Sequence, residues 1–238
     1  MTTNYIEIDG VSSNTFGLFC KQLPRFPVAI ENVAAYQVSG KQDNMFQSLN
    51  HYNDILVQIE AVLRGFRNTD KVFSWLHSGK LLYLSNQPDR IGEIKQITNI
   101  EQERIGSGGL SLKITFKCAP FKLASFNPMY TPASNPYYFK TLGTVYSEPI
   151  ITVYGATEGC TVTVNGVTLT TTGVTGDFVI DVKNRTIYKN VSGEKQSIQD
   201  KTSGTFWDML LVPSESDYNV ISYTNADSIT FVANERWL

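Results

Sequence analysis

Apolar positions recur at helical spacing in one short stretch, Thr69 to Gly79, of a chain that otherwise alternates like strands. At roughly 100° per residue, Val72, Phe73, Trp75 and Leu76 fall within an arc of about 160°. Thr69 reads as an N-cap, Asp70 as a first-turn acid and Gly79 as a left-handed stop. A helix this short is marginal alone in water. Its apolar face is therefore expected to be structural, buried on a sheet within one subunit. The strand-like runs Asp54–Arg64, Leu81–Ser85, Ile94–Ile100 and Leu110–Cys118 are candidates for that sheet.

Before the helix, Tyr5–Ile8 alternates and meets the turn signal Asp9-Gly10, and Val11–Gln22 continues with mixed strand character. Two prolines mark Leu23–Pro27 as an edge or connection. Val28–Ser39 and Ser48–Arg64 read as one long hairpin, and the middle of the second run looks covered on both faces. Its polar tip, about Ser39–Phe46, is expected to reach away from the core. The arm residues singled out are Val38, Gly40, Lys41, Gln42, Asp43, Asn44, Met45 and Phe46. After the helix, Gly106-Ser107-Gly108-Gly109 reads as a hairpin loop. Leu110, Leu112, Ile114, Phe116 and Cys118 then form a clean half-buried strand that should stop at Pro120.

Between Pro120 and Pro149 the texture changes to prolines interleaved with Phe and Tyr, a stiff composition that suits a domain boundary lying along a surface. The expected organisation is an N-terminal domain over residues 1–125, a connection over 126–148 and a C-terminal domain over 149–238. In the last segment Thr161–Val164, Asn165-Gly166 and Val167–Thr170 give the strongest hairpin signal. Ile150–Tyr154, Phe178–Val182, Thr186–Lys189, Trp207–Val212, Tyr218–Tyr223 and Ser228–Glu235 add strands at the spacing of an antiparallel sandwich. The fold class is mainly β, with a sandwich-like N-terminal domain carrying one short helix and a hairpin arm.

Composition narrows the function classes. The chain is 42% apolar and 12% aromatic, so it can build real cores, and its net charge of −2 with no long basic run argues against duplex DNA or an anionic membrane as a default partner. No apolar run approaches the roughly 18 residues of a membrane span. The N-terminus does not read as a signal peptide. Cys20, Cys118 and Cys160 are odd in number and far apart, which reads as free thiols. His51 and His77 lie in no zinc-type spacing, and no nucleophile elbow occurs. Asp177 with Asp181, or Asp217 with Asp227, read as turn acids rather than a glycosidase pair. Trp207, Tyr218, Tyr223 and Trp237 are the aromatic residues available to stack on sugars, with core packing expected for Trp207 and Trp237. No catalytic residue, metal site or cofactor is expected. Long hairpins and two β-rich domains suit an assembly part.

In order and spacing these pieces resemble the distal tail proteins of siphophages. The resemblance rests on Phe26-Pro27-Val28-Ala29-Ile30-Glu31-Asn32-Val33 followed by Gly40-Lys41-Gln42-Asp43-Asn44, then Phe73-Ser74-Trp75-Leu76 leading to Gly79-Lys80-Leu81. It continues through Ile114–Phe121, Leu142–Ile151 and Gly204-Thr205-Phe206-Trp207. The chain departs from the family pattern at the tip, with Lys41 for the usual Arg and Asn44 for the usual Gly, and lacks the late Pro-Gly-x-Asn turn. The resemblance implies a virion tail protein, made in the bacterial host cytoplasm. Its N-terminal domain would form a homohexameric ring at the end of the tail tube, with the arm clasping a neighbour. Its C-terminal domain would be a galectin-like sandwich. Implied partners are the tail tube protein, tail-tip and tape-measure-associated proteins and receptor-binding proteins, with DNA only as passing cargo and no membrane. A carbohydrate-binding module aiding host adsorption is the alternative.

Overall fold

The structure is a computed structural model, and it describes residues 4–40, 42–106, 108–213, 215 and 218–238. Two compact units divide the chain, one of Met1–Ser125 with Leu238 and the other of Phe126–Trp237. The fold is mainly β, built from antiparallel pairs, with one α-helix among the described residues.

In the first unit the elements are β1 (Ile6–Ile8), β2 (Val11–Ser12), β3 (Leu18–Gln22), β4 (Glu31–Tyr36), β5 (Met45–Tyr52), β6 (Ile55–Arg64), α1 (Thr69–Ser78), β7 (Leu81–Leu84), β8 (Arg90–Ile105) and β9 (Gly109–Ala124). A sheet runs in the order β2-β1-β7-β8-β9-β6-β3, while β4 and β5 form a separate ribbon. Strict alternation decides the sheet's inner face. Ile55, Val57, Ile59, Ala61 and Leu63 of β6 are buried and stand opposite Cys118, Phe116, Ile114, Leu112 and Leu110 of β9. They share one core with Ile6, Ile8, Leu82, Leu84 and the helix residues Val72, Trp75 and Leu76. Each large side chain buried this way contributes about 1.5–3 kcal/mol.

Several local expectations change. The α1 N-cap is Asn68, without a side-chain capping bond, and the Thr69 hydroxyl donates instead to the Phe66 carbonyl at 2.8 Å. Gly79 is extended, with φ −105° and ψ 160°, not left-handed. Its reason is space: a Cβ there would lie 1.8 Å from Ile8 Cγ2. Val11–Gln22 is two strands broken by a 3-10 turn at Ser13–Phe16 that ends on left-handed Gly17. Ser48–Arg64 is not one strand. The chain breaks at Asn53-Asp54, so β5 belongs to the ribbon and β6 to the core sheet. The outer face of β6 is open, with Leu56 57% exposed. Nor does β9 stop at Pro120. Gly92 pairs with Lys122 and Ile94 with Cys118, so Pro120 sits in a register shift where no ladder N–H is required.

The second unit contains β10 (Met129–Tyr130), β11 (Tyr137–Phe139), β12 (Ile150–Ala156), β13 (Thr161–Val164), β14 (Val167–Thr171), β15 (Gly176–Asp181), β16 (Thr186–Val191), β17 (Glu194–Ser197), β18 (Thr202–Ser203), β19 (Asn219–Thr224) and β20 (Ser228–Val232). They form two sheets, β10-β20-β12-β15-β16-β17 and β11-β19-β13-β14-β18. Ile151, Val153, Phe178, Ile180 and Phe231 of the first meet Val162, Val164, Leu169 and Ile221 of the second in one core. The Asn165-Gly166 turn has positive φ at both residues, 48° and 86°, as a two-residue hairpin of the I′ type needs. The Asn165 side chain donates to the Leu210 carbonyl and Asn219 Oδ1, each at 2.8 Å, and accepts from the Val220 N–H at 2.9 Å. Trp207–Val212, expected as a strand, is a 3-10 turn at Phe206–Asp208 followed by a single bridge from Leu211 to Ser147. Phe206 enters the core, so its neighbour Trp207 points elsewhere and is 42% exposed.

Candidate functional site

The ribbon of β4 and β5 is the part of the first unit that its own core does not explain. Its register pairs Val33 with Ser48, Ala35 with Phe46 and Tyr36 with Met45. Alternation then puts Val33, Ala35 and Phe46 on one face and Tyr36 and Met45 on the other. Both faces are open: Val33, Tyr36, Met45 and Phe46 are all exposed, Phe46 at 68%. The flanking Val28 and Ile30 are exposed too. A lone two-stranded ribbon is at best marginal in water, so exposed apolar groups on both faces leave it short of partners.

The tip has polar chemistry and open space. Val38, Gly40, Gln42, Asp43 and Asn44 are exposed, and Gly40 has φ 86° with nothing within 4 Å of where a Cβ would stand. Lys41 lies outside the described residues. Met45 and Phe46 begin β5 instead of closing the tip.

The base is fixed where sequence reading did not look. The Asn53 N–H donates to the Ile30 carbonyl at 3.0 Å, and Asn32 Nδ2 donates to Asn53 Oδ1 at 2.9 Å. Next to it, the Asp54 carboxylate meets Lys95 Nζ of β8 at 2.5 Å and Lys117 Nζ of β9 at 3.4 Å. The Lys95 hydrogen bond, against a smaller desolvation effect, holds the Asp54 carboxyl below its ordinary range. The legible signal was the Asn53-Asp54 pair, which interrupts two alternating runs.

The helix residues lie apart from this surface. Val72, Trp75 and Leu76 are buried and Phe73 is half-buried, with the Trp75 ring 5.1 Å from that of Phe16. His51 Nδ1 lies 3.1 Å from the Leu49 carbonyl, and His77 Nδ1 lies 2.8 Å from the Phe73 carbonyl. Cys20 and Cys118 are buried thiols, pushed by burial up to about 11 and about 12. Among the described residues no group of three or more His, Cys, Asp and Glu is placed to hold a metal. Asp177 accepts from the Gly155 N–H at 2.9 Å, Asp181 from the Asn184 N–H at 2.9 Å, and Asp227 packs against Gly155. Asp217 lies outside the described residues.

The second unit has a surface of another kind. No strand of the sheet β11-β19-β13-β14-β18 contains Asp, Glu, Lys or Arg. Its outward positions form a grid of hydroxyls. Thr161 stands between Thr224 and Thr170, and Thr163 between Ser222 and Thr168. The Thr161 and Thr224 hydroxyls are 2.7 Å apart, and those of Thr163 and Thr168 are 2.8 Å apart. Tyr138, opposite Val220, is exposed on the β11 edge.

No family model and no curated protein matches the chain. Solved structures do. The Dit protein of phage SPP1 aligns over 100% of both chains with a TM-score of 0.75 at 14% identity. This chain has the fold of SPP1 Dit. That protein is described as a paradigm of the hub adsorption apparatus in phages infecting Gram-positive bacteria. A chain of the phage P2 baseplate, in its activated conformation with calcium, aligns over 100% of this chain and 99% of its own with a TM-score of 0.57 at 8% identity. The likeness to Dit spans both units, so it covers the ribbon-bearing sheet and the sandwich alike.

Proposed function

We propose that this chain is a structural hub of a long non-contractile phage tail; the Dit protein whose fold it shares is named as a paradigm of a phage hub adsorption apparatus. Copies of the first unit form a hexameric ring at the distal end of the tail tube, through which DNA passes as cargo. The arm, Val38 to Phe46 with the strands behind it, clasps the neighbouring subunit. The second unit carries tail-tip and receptor-binding proteins.

The observation that carries this reading is the β4–β5 ribbon. It is anchored at its base by Asp54 and Asn53, yet it exposes apolar side chains on two faces. A second copy supplies the surface that a monomer lacks. The contact is heterologous, since the arm of one copy meets a different patch on the next, and such contacts form rings when the rotation closes.

Light scattering or native mass measurement of the purified chain tests this over a range of concentrations and salt. The expected result is a hexamer, or a concentration-dependent rise towards one. A strict monomer under all conditions, together with no ring of this chain in electron cryo-microscopy of the virion, overturns the reading.

A further inference from the structure

The hydroxyl grid on the second unit is not used by the hub reading, and it has its own chemistry. Its six central groups are Thr161, Thr163, Thr168, Thr170, Ser222 and Thr224, on three adjacent strands. Neighbouring strands lie about 4.8 Å apart, and outward residues along a strand repeat every ~6.7 Å. Each hydroxyl has one donor and two acceptor sites. The pair Thr161–Thr224, joined at 2.7 Å, and the pair Thr163–Thr168, joined at 2.8 Å, each spend one donor and one acceptor internally. That leaves one donor and three acceptors per pair for other partners.

Threonine is a good strand former, so an isolated outward Thr needs no explanation. What needs one is the lack of charge. Outward positions on the first unit's sheet include Gln58, Glu60, Arg64, Lys113 and Lys117, the ordinary mixture for a wet face. The grid has no counterpart to them in any of its strands. Without Lys or Arg its strands lack the charge-assisted donors that favour a phosphate or carboxylate polymer. The centres of protein interfaces are rich in aromatics, Met and Arg and poor in Ser, so a protein partner fits the grid poorly. A flat surface offering a donor and acceptors at regular intervals complements a neutral polymer that does the same.

Aromatic residues stand at two edges of this sheet. Tyr138 is 60% exposed on β11, and Trp207, 42% exposed, belongs to the turn that follows β18 along the β14 edge. The chain enters that turn at Gly204, where a Cβ would lie 2.2 Å from the Thr168 carbonyl oxygen. From β11 to β14 is three strand spacings, about 14 Å, a span suited to several sugar units of an extended strand.

We infer that this face binds a neutral, hydroxyl-rich polysaccharide, laid across β19, β13 and β14. The inference is independent of ring formation: it needs only the second unit's surface.

Affinity electrophoresis of the full chain through gels containing a soluble glucan, a galactan, a mannan or poly(glycerol phosphate) tests it. At least one neutral polysaccharide is expected to retard the chain. The double variant Thr163→Lys, Thr168→Lys should weaken that retardation at least tenfold, and Tyr138→Ala or Trp207→Ala several-fold. If the lysine variant fails to fold, Thr163→Val with Thr168→Val keeps the β-branched shape and removes the hydroxyls, and it should lose binding as well. Retardation by poly(glycerol phosphate) alone, by none of the neutral polymers, or undiminished in the variants overturns the proposal. The oligomeric mass of the same variants reports separately on the hub reading, since the grid lies outside the arm.

Discussion

Gly79 shows how one residue can look like a helix stop and serve another purpose. Its backbone is extended, and the missing Cβ makes room for Ile8, itself fully packed at 1% exposure. Ile Cγ2 is held on a β-branched stem and has no free rotation with which to withdraw. Gly79→Ala is therefore expected to cost about 1–3 kcal/mol through overpacking. Urea denaturation measures this, and an unchanged midpoint would show that β1 yields easily. The buried thiols make a second prediction at this scale. Burial raises Cys20 to about 11 and Cys118 to about 12 from an ordinary 9.0. The folded state thus holds the neutral thiol while the unfolded chain releases its proton near 9. The stabilisation is complete below that pH and is lost as pH climbs towards the folded values. The urea midpoint should fall between pH 8.5 and pH 11 in about this window. The fall should be shallower in a Cys20→Ala, Cys118→Val variant, and equal slopes would refute the assignment.

At the scale of elements, the strands with strict alternation were legible, and the connections less so. β6 and β9 announce themselves because one face is buried along the whole sheet, and the Asn165-Gly166 turn because few residues tolerate two successive positive φ values. The helix was legible from its spacing, but its caps were not, since Asn68 and Gly79 answer to tertiary neighbours. Trp207–Val212 misled because Phe206, Met209 and Leu211 are core residues presented from an irregular path, without the period of a strand. For the same reason Trp207, expected in the core, is exposed. The two runs of the arm merged in the sequence because only Asn53-Asp54 separates them. The base geometry predicts the outcome of removing the tip. Asn53, Asp54, Lys95 and Lys117 all lie outside Val38–Phe46, so deleting that segment should leave a folded protein with near-native circular dichroism and thermal midpoint. Its assembly should be weakened. Unfolding on deletion would make the segment part of the core.

For the molecule as a whole, β content and a strand-rich second half could be read from periodicity and turn chemistry. The order in which the strands join could not, because pairing between distant segments leaves no local mark. β9 joins β6 and β8 across different sequence separations, and β20 lies between β10 and β12. The Dit-like arrangement therefore rests on three-dimensional likeness over the full length, with a TM-score of 0.75 at only 14% identity. The candidate arm was legible as a polar tip between apolar runs. That its strands are open on both faces was visible only once the register paired Ala35 with Phe46 and Tyr36 with Met45.

The ribbon also bears on the protein before it meets any partner. Among the described residues no third strand joins β4 and β5, so each is a sheet edge beside uncovered apolar side chains. Such an edge is a template for further strands of any origin. A polar tip bearing Asp43 and the short length of β4 restrain this growth without abolishing it. The assembly proposed for the arm and precipitation would thus compete for the same groups. How long a freshly made chain stays soluble depends on how quickly it finds its place.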